Sequence, residues 1–124
     1  MLAIAVTLSA AVAAITPAHA QRRCHVIDGD TLACGSERVR IMGLDAPEMR
    51  GHCPAEISAA HAAKARLVVL IAGGISLEPH GRDRYRRLLA VVRDRQGRDV
   101  AQALILERHA RPYDGRGRRD GWCG

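Results

Sequence analysis

The sequence predicts a small α+β domain: a five-stranded β-barrel of the OB type with two or three helices, stapled by disulfides. Three observations carry this expectation. The 124 residues suffice for one domain and not for two. Short strand-like segments cluster around turn signals, and two stretches of helical spacing lie between them. Five strands and two helices in about 100 residues fit a small barrel of this type. The composition, 48% hydrophobic and 26% charged, excludes a disordered or collagen-like chain. With no Phe, one Trp and two Tyr, the core must be aliphatic, and a protein that reads many stacked bases is disfavoured.

The first twenty residues read as a secretion signal. Leu2 to Ile15 is an apolar run, and Ala18 and Ala20 supply the small residues of an A-x-A cleavage site, although no charged side chain precedes Arg22. The run is shorter than the ~20 residues a spanning helix needs. Cleavage leaves residues 21–124 as the mature domain, secreted or periplasmic and without stable membrane association. An uncleaved tethering helix is the alternative.

Along the mature chain, Cys24 to Ile27 and Thr31 to Cys34 form a hairpin about Asp28-Gly29-Asp30. Arg38 to Leu44 is a third strand, with Val39, Ile41 and Gly43 facing inward. Asp45-Ala46-Pro47-Glu48 is a polar break. From Pro54 to Ala72, Ile57, Ala60, Ala63, Leu67 and Leu70 keep helical spacing, and Gly73-Gly74 ends the helix. Ile75 to Glu78 and Arg87 to Arg93 are two further strands, Gln96-Gly97 is a turn, and Val100 to His109 is a second helix. The Gly- and Arg-rich tail, Arg111 to Gly124, cannot hold itself folded. No internal repeat and no second domain is evident.

Cys24, Cys34, Cys53 and Cys123 all follow the cleavage point, and their even number suits an oxidising compartment. No C-x-x-C spacing occurs, which argues against a zinc or thioredoxin-like site. Four cysteines allow three connectivities. Cys24 and Cys34 lie symmetrically about Gly29, so a hairpin places them opposite each other and leaves Cys53 with Cys123. The second bridge would bring Arg116, Arg118 and Arg119 beside the loop that follows Glu48.

Lys plus Arg is 19 against 13 Asp plus Glu, a formal charge of +6, and every cation but Lys64 is Arg. A guanidinium donates two parallel hydrogen bonds to phosphate, so the balance points towards a polyanion, unless coding bias alone favours Arg. Three clusters locate the chemistry. Asp28-Gly29-Asp30-Thr31 by itself is an ordinary turn. In Arg40-Ile41-Met42-Gly43-Leu44-Asp45-Ala46-Pro47-Glu48, Asp45 and Glu48 would by themselves make a helix capping box. Arg82-Asp83-Arg84-Tyr85-Arg86-Arg87 by itself is a charged loop. Together they hold what phosphodiester cleavage needs: oxygen donors for a hard cation, a carboxylate to take a proton from water, and paired Arg residues for the charge of the transition state.

Val26-Ile27-Asp28-Gly29-Asp30-Thr31, Arg40 to Glu48 and Asp83-Arg84-Tyr85-Arg86-Arg87 resemble, in order and spacing, the three signatures of the staphylococcal nuclease (thermonuclease) family. The likeness runs from about Cys24 to Tyr113. The resemblance implies an OB-fold barrel and Ca2+-dependent hydrolysis of DNA and RNA, with single strands preferred and the protein a monomer. It implies that Asp30, Asp45 and the Ala46 carbonyl hold calcium. Glu48 would act as base or orient the water, and Arg40 and Arg87 would clamp the phosphate. Arg84, Tyr85 and Tyr113 would contact substrate, with Asp28 in an indirect role. Three positions depart from the family: Ala46 where Thr is frequent, Arg86 where Gly is usual, and Arg108 where a helix-ending Gly is common. Two other function classes fit parts of the sequence. One is a non-catalytic nucleic-acid-binding module on the same barrel; the other is a cationic secreted protein that needs only its charge and disulfides.

Overall fold

The computed structural model describes residues 10–11 and 21–124; the expected leader, residues 1–20, otherwise lies outside the described residues. The hairpin comes first, as β1 (His25–Asp28) and β2 (Thr31–Cys34), with His25 opposite Ala33 and Val26 opposite Leu32. That register puts Cys24 against Cys34, Cα to Cα 4.4 Å, and the two form a disulfide. It slips by one residue between Val26 and Asp28, a bulge just before the Gly29-Asp30 tip, with Asp28 opposite Thr31.

β3 (Glu37–Ile41) pairs with β2 and buries Val39 and Ile41. The third strand therefore stops short of the expected Leu44. Met42-Gly43 turns the chain, Gly43 is exposed rather than inward, and its φ of +92° is one that L side chains rarely adopt. The chain resumes as β4 (Leu44–Asp45), which joins a separate two-stranded sheet.

Next comes α1 (Pro54–Ile71), with Pro at its start, where no N–H is needed, and Ala60, Ala63, Leu67 and Leu70 on its buried face. β5 (Ile75–Arg82) runs four residues beyond the expected Glu78 and carries a bulge between Pro79 and Arg82; β6 (Leu88–Asp94) follows. α2 (Val100–Leu106) is capped by Asp99, whose side chain accepts from the Gln102 amide. It ends before the expected His109 because Arg108, at φ +62°, closes a Schellman motif: the His109 amide donates to the Leu104 carbonyl at 2.8 Å and the Arg108 amide to that of Ile105 at 3.0 Å.

The five long strands form one sheet in the order β1-β2-β3-β6-β5, antiparallel except for β3 against β6. Its edges, β1 and β5, share no ladder. A single bridge, Arg22 to Ile75 with bonds of 2.7 and 2.9 Å, connects them, so the sheet is not closed into the expected barrel. The core is aliphatic as the composition requires: Leu32, Val39, Ile41, Leu44, Leu67, Ile75, Val92, Val100 and Leu104 are almost wholly buried. Two helices occur among the described residues, and none is long and apolar enough to cross a membrane.

The tail is held by partners rather than by its own sequence. β7 (Arg111–Pro112) pairs with β4, Leu44 opposite Pro112 and Asp45 opposite Arg111. The Cys53–Cys123 disulfide spans 70 residues and fixes the far end to the start of α1.

Candidate active site

The turn between β1 and β2 lies flush against the segment after β4. A Cβ on Gly29 would come within 2.9 Å of the Ala46 Cβ and 3.1 Å of the Ala63 Cβ, so only glycine allows this approach. The contact brings the Asp30 turn up to Asp45-Ala46. Asp30 is buried, at 8% exposure; its Oδ1 accepts from the Thr31 hydroxyl at 2.9 Å, and its Oδ2 lies 3.6 Å from Arg40 Nη2. Asp28 Oδ1 accepts from the Asp30 amide at 3.3 Å. Burial, reinforced by hydrogen bonding with Asp30 and by its charge, pushes the Asp28 carboxyl up to about 6.

Arg40 stands on β3 beside the break in the strand. Its Nη1 donates to the Ile41 carbonyl at 2.6 Å and its Nη2 to the Leu44 carbonyl at 3.0 Å, so one guanidinium spans the turn and faces Asp30. Asp45 and Ala46 are buried, at 6% and 1% exposure. Glu48 is exposed. The capping box does not form, because the chain after Asp45 is not helical and α1 starts only at Pro54. Asp45 and Glu48 meet instead on one cation: Arg119 Nη1 lies 3.0 Å from Asp45 Oδ1 and 3.3 Å from Glu48 Oε1. Partial burial alone would lower its pKa, but the charges of Asp45, Glu48 and Asp30 hold the guanidinium above its ordinary range.

Arg87 is aimed by Asp83. The Arg87 amide donates to Asp83 Oδ1 at 2.9 Å and its Nε to Oδ2 at 2.7 Å, which leaves the outer nitrogens for another partner; Nη1 is 3.5 Å from the Thr31 hydroxyl. The Asp83 carboxyl, which burial would raise, is held below its usual value by these bonds and that from the Tyr85 amide. Tyr85 is exposed, with the Arg84 and Arg87 guanidinium carbons 4.9 and 5.5 Å from its ring centroid. Tyr113 sits apart: its amide donates to the Gly43 carbonyl and its hydroxyl to that of Gly117, both at 3.0 Å, so its bonds go to the turn and the tail rather than to the carboxylates.

Two constellations thus adjoin. Asp30 carries Arg40 directly and Arg87 through Thr31, while Asp45 and Glu48 share Arg119. Carboxylate and backbone carbonyl oxygens are the donor type that suits a hard divalent cation, and Asp30 and Asp45 are both buried carboxylates. Among the described residues no three His, Cys, Asp or Glu side chains are already gathered as a metal cluster. Three roles were not anticipated from the sequence: Thr31 as the link between Asp30 and Arg87, Gly29 as the packing site and Asp83 as the holder of Arg87; Arg119, expected beside the loop after Glu48, reaches Glu48 and also Asp45. Asp83 did leave a signal. Arg82-Asp83-Arg84-Tyr85-Arg86-Arg87 and Arg93-Asp94-Arg95-Gln96-Gly97-Arg98 share the pattern R-D-R-x-x-R, and the two loops have the same hydrogen bonds.

The family model for staphylococcal nuclease homologues matches residues 38–120, about two thirds of the chain, beginning after the Asp30 turn and including Arg119. No curated protein matches the chain.

Proposed function

Since the chain belongs to the staphylococcal nuclease homologue family, we propose that it is an exported calcium-dependent nuclease that hydrolyses phosphodiester bonds of DNA and RNA. The observation that carries the reading is the packing of the Gly29 turn, with buried Asp30 beside it, onto Ala46, next to buried Asp45, with Arg40 on Asp30 and Arg119 on Asp45 and Glu48. Asp30, Asp45 and the Ala46 carbonyl would hold Ca2+. When bound, the ion polarises a phosphate oxygen and favours ionisation of water.

The chain's own residues supply the rest. Glu48, exposed at the rim, accepts a proton from the attacking water. Arg87, with its Nε anchored by Asp83, presents its outer nitrogens to the phosphate, and the anchoring limits the entropy lost on binding. Arg40, turned onto the Ile41 and Leu44 carbonyls, exchanges a backbone acceptor for phosphate when substrate arrives. Arg84 and exposed Tyr85 give an edge for an unpaired base or its phosphate. We assign residues 1–20 to a cleaved leader and 21–124 to the working monomer. Both disulfides accord with an oxidising destination.

Digestion of heat-denatured DNA and of RNA tests the reading. Cutting should require Ca2+ and stop with EGTA, and Glu48→Gln should lower turnover by about 10^2 or more while substrate still binds. Wild type that shifts DNA on a gel without cutting it, in Ca2+ and EGTA alike, would establish the binding-module alternative instead.

A further inference from the structure

The arm that carries Arg119 is fastened on both sides of it. Before it, the Tyr113 hydroxyl holds the Gly117 carbonyl at 3.0 Å. After it, Arg111 Nη1 donates to the Gly121 carbonyl at 2.8 Å, the Arg111 guanidinium lies 3.7 Å from the Trp122 ring centroid, and Cys123 is bonded to Cys53. The pairing of Arg119 with Asp45 and Glu48 is therefore not needed to dock the arm. It places a permanent positive charge on two carboxylates assigned above to the metal and to the water.

We propose that Arg119 is a tethered latch: an internal cation that occupies Asp45 and Glu48 and must be displaced before a divalent ion can bind, so that the arm sets the metal concentration at which the site opens. The inference rests on the metal-site reading above. A guanidinium neutralises the carboxylates and stops them repelling phosphate, but it offers no open coordination position for water. The competition is intramolecular, and the Cys53–Cys123 bridge with the β4–β7 pairing keeps the tether short, so Arg119 acts at a high effective concentration rather than as a free solute. Only the side chain has to leave, and the Arg119 side chain is 45% exposed. A site open only part of the time binds its ligand more weakly by the open fraction. Two partly exposed ion pairs hold the latch about 5- to 10-fold in favour of closed.

Calorimetric titration of CaCl2 into the mature, oxidised protein, without nucleic acid, tests this. Arg119→Gln should bind Ca2+ about tenfold more tightly than wild type. Arg116→Gln removes the same charge from the same arm without touching the carboxylates, and should change affinity less than twofold. Cys53→Ser/Cys123→Ser leaves the Tyr113–Gly117 and Arg111–Gly121 fastenings in place, so it should gain less than Arg119→Gln, and adding Arg119→Gln to it should restore the full gain. If the double Cys variant does not fold, the comparison of Arg119→Gln with Arg116→Gln decides alone. Arg119→Gln binding no tighter than Arg116→Gln, while Asp45→Asn still abolishes binding, overturns the latch and leaves the metal site standing. Absence of Ca2+ binding in wild type and Arg119→Gln alike overturns the metal reading and the latch with it.

Discussion

Replacing Arg86 with Gly should stabilise this protein, and the molecule contains its own control. In the Asp83 loop, the Asp83 amide donates to the Arg87 carbonyl at 3.0 Å, the Arg86 amide to that of Asp83 at 3.0 Å, and the Tyr85 and Arg87 amides to Asp83 Oδ1 at 2.9 Å. The Asp94 loop repeats this: Asp94 to Arg98 at 2.9 Å, Gly97 to Asp94 at 3.0 Å, and Gln96 and Arg98 to Asp94 Oδ1 at 2.9 Å. Both fourth positions have positive φ, +82° at Gly97 and +66° at Arg86. The left-handed conformation costs a side-chain-bearing residue roughly 1–2 kcal/mol. Glycine returns about 0.5–1 kcal/mol of that through its freer unfolded chain. The net gain for Arg86→Gly is about 0.5–1 kcal/mol, or about 4 °C in Tm for a domain of this size. Thermal melts of oxidised Arg86→Gly and Arg86→Ala give the measurement. Only Gly should rise, and Gly97→Ala should fall by about 1 kcal/mol. A melting temperature for Arg86→Gly at or below wild type, or an equal rise with Ala, would refute the backbone argument. The gain should come with weaker DNA binding and a shallower salt dependence, because a cation beside Arg87 is gone.

Three further outcomes follow from the same geometry. Gly29→Ala should cost about 1–3 kcal/mol in urea unfolding, since its Cβ meets Ala46 and Ala63 at 2.9 and 3.1 Å, and it should weaken Ca2+ binding by lifting Asp30 away from Ala46. Asp94→Asn should cost about 1–2 kcal/mol at pH 7. Burial would raise Asp94, but hydrogen bonds from Arg98 and Gln96 hold it below 3.8, so its stabilisation is complete above that value and is lost as pH falls through the lower folded one, where the two proteins should converge in unfolding free energy. Cys53→Ser/Cys123→Ser should cost about 4 kcal/mol by loop entropy over its 70-residue span, more than the roughly 3 kcal/mol for opening Cys24–Cys34, as comparative denaturation of the two double variants would show.

What the sequence by itself determined is what neighbours in the chain decide. The Asp-Gly turn set the β1–β2 register and with it Cys24 against Cys34. The 3.6-residue spacing of Ala60, Ala63, Leu67 and Leu70 set the buried face of α1, and the lack of Phe set an aliphatic core. The order of Asp30, Arg40, Asp45, Glu48 and Arg87 pointed to the family because those groups lie in short signatures, each local. The tertiary structure decided what depends on partners distant in the chain. Asp45 and Glu48 satisfied the capping-box pattern, yet no helix follows them, because β4 turns aside to pair with β7 from the tail. The tail read as unable to fold alone, and it is held by β4, by Arg111 against Trp122, by Arg119 on Asp45 and Glu48, and by the disulfide. The sheet edges meet in one bridge rather than a ladder because Arg22 pairs with Ile75 before β1 begins. The cysteine pairing brought the Arg-rich tail beside Glu48 in the sequence, but only the folded chain decided which of its guanidiniums meets the carboxylates: Arg119, 71 residues from Glu48, on Glu48 and on Asp45 together.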